Sequence, residues 1–253
     1  MAYDGAGCGT GAPEGGAIAR LGHDPGGAAS SPGERVHATL ERGILAGDLP
    51  AGSPLDPAGF AANLGIPESA VHHALGSLAG ARLVTTTPDG RSFVRVVDLG
   101  EAVTLCEVRA SLELLVGRLA ARHARPEDIE ELRQVVKAMA HAARAGESLR
   151  WRGLDGRFHD RLARLSGNAA LSAAYRTVAN EYELYLCRSP HAEREDLREP
   201  TREHQCVLEA VARGKGTRAA NLLHEHALGQ VSRLRALAQD AAGSPRDPRA
   251  GFG

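Results

Sequence analysis

The stretch "GLDGRFHDRLARLSGN", residues 153–168, sets Asp155 and His159 four positions apart. Residues at that spacing share one face of a helix, so a carboxylate and an imidazole placed this way can grip one cation or stand as a solvated pair. The motif alone does not choose, because a chain with eleven His produces such coincidences. Its flanks bear on the choice: Phe158 and Leu162 suggest that this face turns inward, where an Asp or His without a partner is costly.

Two side chains hold nothing without a frame, and the composition makes that frame helical. The chain has 253 residues, 43% of them hydrophobic, enough for a real core in one large or two modest domains. Only 4% are aromatic, so Ala, Leu and Val must fill that core, and few β-branched runs interrupt it. A formal charge of −1, with Lys137 and Lys215 as the only lysines, gives no global pull toward nucleic acid. The four cysteines, Cys8, Cys106, Cys187 and Cys206, form no C-x-x-C pair. No apolar run approaches the ~18 residues of a membrane span, and the N-terminus lacks the order of a signal peptide. These features lead us to expect a reduced, cytoplasmic protein that does not engage a membrane.

Residues 1–32 and 241–253 are rich in Gly, Ala and Pro and are expected to be disordered tails. Between them the pattern predicts two domains, 33–98 and 99–240. In the first, "ERVHATLERGILAG" places Val36, Leu40 and Ile44 on one helical face and stops at Gly47. Asp56 can cap a second helix that begins at Pro57 and ends at Gly65. A third helix follows in "PESAVHHALGSLAGARL", and "VTTTPDGRSFVRVV" alternates around Asp89-Gly90 as a hairpin. The expected fold is therefore mainly α: an N-terminal winged helix-turn-helix with a two-stranded wing, then a C-terminal all-α bundle. Six helices are expected in that bundle, at about 99–123, 127–145, 148–166, 169–187, 196–213 and 216–239.

This order of features resembles the GntR family of bacterial transcription regulators, in the branch with an FCD ligand domain. The resemblance spans roughly residues 33–238. It rests on "ILAGDLPAGSPL", "NLGIPESAVHHALGSLAGARLV" and "PDGRSFVRVVDL" in the first domain. In the second it rests on "EVRASLE", "DGRFHDRLARLSGN" and "EHQCVLEAVARGKGTRAANLLHEH". It implies a homodimeric, ligand-responsive DNA-binding protein whose Asp155, His159, His204 and His226 share a central cavity and hold a divalent metal. A hydrogen-bonded cluster of the same four groups is the plainer alternative. His224, two residues from His226, should face elsewhere. Three imidazoles and a carboxylate suit Zn²⁺, Ni²⁺, Mn²⁺ or Fe²⁺ without choosing among them.

The resemblance further implies that the metal helps hold a small organic acid and that Arg109 clamps its carboxylate. An ion pair at the surface or between helices is the alternative for Arg109. Asn168 reads best as a helix cap. Tyr175, Tyr182 and Tyr185 could donate a proton, but their helical spacing fits core packing.

In one respect the chain departs from the family. Where the family's turn into the recognition helix reads S-R-T-P-V-R-E-A-L, this chain has "PESAVHHAL", with Glu68 at the first Arg position and His72 and His73 in place of the Arg-Glu pair. A carboxylate repels phosphate, and a neutral His releases no counterions. Residues 33–98 hold five Arg, no Lys and seven acidic residues, a net charge of −2. Arg91 and Arg95 in the wing remain candidates for the backbone of an operator, and Glu68 for a cytosine amine. Two functions therefore stay open: the regulator, and a metal-dependent enzyme or small-molecule binding protein whose winged helix no longer reads DNA.

Overall fold

The computed structural model describes residues 31–187 and 196–243, with only the chain path from 236 onward. The expected tails lie outside these residues except at their inner edges, where Pro32 already opens a helix and the last helix runs on to Gly243. Two compact units divide between Val96 and Val97.

In the first unit, helix α1 (Pro32–Leu45) starts with a reciprocal cap: the Glu34 N–H donates to Ser31 Oγ at 3.2 Å, and the Ser31 N–H to the Glu34 carboxylate at 2.7 Å. Strand β1 (Pro54–Leu55) leads into α2 (Pro57–Leu64), capped by Asp56, which accepts from the N–H groups of Ala58 and Gly59. Gly65 ends α2 at φ 64°, a left-handed conformation that suits glycine. Helix α3 (Glu68–Gly80) then buries Val71, Ala74, Leu75 and Leu78 against this core. Strands β2 (Val84–Thr86) and β3 (Ser92–Val94) form the expected hairpin.

The sheet nevertheless has three strands, in the order β1-β3-β2, where two were expected. β1 pairs antiparallel with β3, Pro54 opposite Phe93 and Leu55 opposite Ser92. Bonds from Gly52 N–H to the Val94 carbonyl at 2.8 Å and from Val94 N–H to the Ser53 carbonyl at 2.9 Å extend the ladder. A two-residue strand behind a proline shows no alternation, so only the pairing reveals it.

The second unit holds α4 (Leu99–His123), α5 (Pro126–Ala145), α6 (Ser148–Leu165), α7 (Ala169–Leu186), α8 (Arg198–Ala212) and α9 (Gly216–Gly243). α4 is the central helix, and its main partner is α9. They pack tightly at Gly117, where a Cβ would stand 2.7 Å from the Ala220 nitrogen and 2.8 Å from the Ala219 carbonyl carbon. Small residues on both helices allow this distance, and further along the same seam α9 lies beside the polar middle of α4, where His224 Nδ1 bonds the Ala110 carbonyl. Asn168 caps α7 as expected, accepting from Leu171 N–H at 3.0 Å. Trp151 anchors α6 to α8 by donating from Nε1 to Thr201 Oγ1 at 2.8 Å. Among the described residues, no helix is long and apolar enough to cross a membrane.

Candidate metal centre

Helix α6 delivers Asp155 and His159 from successive turns, α8 delivers His204, and α9 delivers His226. One ligand atom from each lies within 4.8 Å of all the others. Phe158 and Leu162, fully buried, hold the α6 face inward as their positions beside His159 implied. Phe158 also packs edge-on against the rings of His159 and His204. The four side chains drawn from three segments therefore meet.

The ring nitrogens turned away from the cluster are all engaged. His204 Nδ1 donates to the Pro200 carbonyl at 2.6 Å, one helical turn back. His226 Nδ1 meets the Glu203 carboxylate at 2.6 Å. His159 Nδ1 stands 2.9 Å from Glu113 Oε1. Carbonyls and ionised carboxylates only accept, so each Nδ1 carries a proton, and a ring in its neutral form has its lone pair at Nε2. These lone pairs converge: His159 Nε2 lies 3.1 Å from His204 Nε2, which is 2.9 Å from Asp155 Oδ1. That oxygen is buried without a hydrogen-bond partner. At His226, Gln230 Nε2 approaches Nε2 to 3.1 Å and can donate to it.

The charges follow from this packing. Burial by itself would raise the Asp155 carboxyl, but His159 and His204 outweigh it and hold the group well below the usual carboxylate range. Burial pushes His226 down to about 4 against the opposing bond from Glu203, with His204 and His159 adding to the fall. Glu113, fully enclosed, would be raised by burial, yet Arg109 and His159 bring it down to about 2.

The donor set fits a divalent ion. Ligands ~2.0–2.2 Å from a metal stand about 3 to 4 Å apart; the separations among Asp155, His159 and His204 run from 2.9 to 3.7 Å, and the whole set of four lies within 4.8 Å. Three imidazoles and one carboxylate, with Nδ1 of every ring held by an acceptor, also match the outer-shell pattern that fixes metal-binding histidines.

Arg109 lies at the edge of this cluster, 3% exposed on α4. Its partner is neither at the surface nor on another helix: Nε donates to Glu113 Oε1 at 3.2 Å, one turn along α4. The guanidinium lies over the Tyr182 ring, 5.4 Å from its centroid. Its Nη2 is buried with no hydrogen-bond partner, and so is Nε of Arg152, whose Nη1 donates to the Leu186 carbonyl at 2.8 Å. Tyr175 donates to Glu113 Oε1 at 3.2 Å, and His224 turns away to bond the Ala110 carbonyl at 3.0 Å.

In the other unit, Glu68 opens α3 and pairs with His72 at 3.4 Å, both more than half exposed. His73 is exposed beside them. In the wing, Arg91 pairs with Asp89 at 2.7 Å and lies over the Phe93 ring, while Arg95 is half-buried. All five residues belong to the winged-helix unit, and the three on α3 share its outer face.

Known proteins agree with this architecture. The FCD domain family model matches residues 104–229. A probable D-xylose utilization operon transcriptional repressor from Paenarthrobacter nicotinovorans is 27% identical over 183 residues, covering 72% of this chain and 80% of that protein. An HTH-type transcriptional regulator from Mycobacterium tuberculosis is 31% identical over 166 residues, 59% of this chain and 67% of that one. A crystal structure of a GntR regulator from Rhodococcus superposes with a TM-score of 0.69 at 21% identity, covering 82% of this chain and 99% of that one. The chain belongs to the GntR family of DNA-binding transcription regulators, in its FCD branch.

Three residues of this GntR-family FCD domain escaped the sequence reading as members of the site: Glu113, Arg152 and Glu203. Glu113 carried a signal, since it follows Arg109 by four positions in "EVRASLE" and must share its face. Glu203 directly precedes His204, but its role comes from reaching His226 on another helix. Arg152 had no distinguishing neighbour.

Proposed function

We propose that this GntR-family regulator holds one divalent metal ion through Asp155, His159, His204 and His226 and uses the site to sense a small carboxylate. When bound, the ion supplies open coordination positions to a ligand oxygen. The protein's own part is to orient three imidazoles through their Nδ1 atoms and to present buried, unpartnered guanidinium nitrogens to an anion. Arg109 Nη2 and Arg152 Nε supply those donors. The observation that carries the reading is Asp155 Oδ1, buried and unbonded beside converging imidazole lone pairs. A positive charge among them removes their mutual repulsion, and a carboxylate neutralises the arginines.

The regulator acts on operator DNA as a homodimer in the cytoplasm, with α3 entering the major groove and the wing residues Arg91 and Arg95 facing the backbone. Val108 and Leu115 on α4 and Leu228 on α9 are large apolar side chains left exposed, which favours a second copy against this face. Zn²⁺, Ni²⁺, Mn²⁺ and Fe²⁺ all suit the ligands. The metalloenzyme alternative gains no support from the relatives, which are named as regulators.

Binding of the DNA upstream of its own gene, followed by gel shift with metal-stripped and metal-loaded protein, tests this reading. A shift that changes with metal and with added carboxylates is expected. Absence of retardation at low salt in every state removes operator binding, and a metal-independent, carboxylate-independent shift removes the sensor.

A further inference from the structure

One oxygen in the FCD domain is shared more widely than any hydrogen-bond acceptor near it. Glu113 Oε1 takes Arg109 Nε at 3.2 Å, the Tyr175 hydroxyl at 3.2 Å and His159 Nδ1 at 2.9 Å. These donors belong to the three helices α4, α7 and α6, and all of them are buried. The other oxygen, Oε2, is buried without a partner, as is Arg109 Nη2. So Arg109 and His159 compete for one carboxylate oxygen that no further side chain relieves.

We infer that Glu113 couples the metal half of the site to the anion half, so that engagement of Arg109 by an acid tightens the grip on the metal. The inference rests on the metal reading above. A carboxylate acting on the Nδ1–H of a ligating imidazole raises its basicity at Nε2, and so its hold on an ion. While Arg109 and Tyr175 draw on Oε1, less of its charge acts on His159. An anion that takes Arg109 away returns that charge to His159. Linkage makes the effect reciprocal: a bound ion makes His159 Nδ1–H a stronger donor, pulls Glu113 from Arg109 and frees the guanidinium for an acid. Glu113 is thus a positioning residue that acts through His159 and touches neither ligand.

The test needs the metal alone. Ni²⁺ affinity is measured by competition with a colorimetric chelator for the full chain, Glu113→Gln, Arg109→Gln, the double variant and Tyr175→Phe. Glu113→Gln is expected to weaken Ni²⁺ binding about 10-fold. Arg109→Gln is expected to strengthen it about 5-fold, and Tyr175→Phe about 2-fold without any change of formal charge. In the Glu113→Gln background the gain from Arg109→Gln should vanish. General damage to the fold weakens binding in every variant, so gains in two of them separate relay from structure. Arg109→Lys, which keeps a donor to Glu113, should return the affinity to near the unsubstituted value. Should Arg109→Gln lose folding, Tyr175→Phe still decides, because it removes only a hydroxyl.

An Arg109→Gln gain that persists without Glu113 is plain charge repulsion and overturns the coupling, as does a loss or no change in Tyr175→Phe. Failure of the unsubstituted chain to bind Ni²⁺ overturns the metal reading together with it. Binding with an additive cycle overturns the coupling alone.

Discussion

His159 and His204 hold their Nε2 atoms 3.1 Å apart while the Nδ1 of each faces an acceptor, Glu113 for one and the Pro200 carbonyl for the other. In their neutral form two rings so arranged present lone pairs to each other, with the Asp155 carboxylate alongside. The fold has oriented four donors toward one point, and a cation is the simplest thing that makes the orientation favourable.

Removing a donor should empty the point and spare the frame. His159→Ala and Asp155→Asn are each expected to reduce bound metal from one ion per chain toward zero while the protein stays helical and dimeric. Elemental analysis with light scattering checks both halves of this expectation. Unchanged stoichiometry in either variant contradicts the ligand assignment.

Glu183 on α7 gives a pH dependence of its own. Burial raises its carboxyl to about 7, with Arg152 and Arg109 pulling the other way. Below the ordinary value of 4.5 it is neutral in both folded and unfolded chains. As pH climbs from there to about 7, the unfolded chain gives up its proton and the folded chain keeps it, so stability falls with rising pH. Metal-free Glu183→Gln should therefore gain stability over the parent at pH 8, by about 3 kcal/mol at most, and almost none at pH 4.5. Denaturant titrations at the two pH values measure it, and a difference independent of pH rejects the assignment.

The outer face of α3 carries Glu68 and His72 paired with each other, an acidic start for the helix proposed to meet phosphates. Glu68→Arg is expected to tighten operator binding and to steepen the dependence of log K on log salt by ~0.9 for each additional phosphate neutralised. Fluorescence anisotropy across a salt series reads both. An unchanged slope means that this end of α3 does not approach the backbone.

Much of the frame was legible because its punctuation is local. Asp56, Gly65 and Asn168 act within a turn of where they stand, and they end or begin helices where the sequence placed them. Asp155 and His159 were legible for the same reason, as a spacing on one helix. Glu113 and Glu203 were not, because their meaning lies in contacts with His159 and His226 across the bundle, set by helix packing that no short window contains. Strand β1 was missed because pairing, not periodicity, defines it.

That packing has its own test at Gly117. Alanine is the better helix former by ~1 kcal/mol, but its Cβ would collide with the backbone of Ala219 and Ala220, which cannot swing aside as a side chain can. The collision should win. Gly117→Ala is expected to lose about 1–3 kcal/mol of stability and to weaken metal binding, since α9 carries His226. A stabilised variant would show that α4 and α9 are not in close contact here.

The most direct measurement is anomalous X-ray diffraction from crystals grown with Ni²⁺ or Zn²⁺, recorded at the edge of that metal. The account predicts one peak per chain, ~2.0–2.2 Å from Asp155 Oδ1 and from Nε2 of His159, His204 and His226. A map with no peak there, and with these four groups bonded to one another or to water instead, would contradict it.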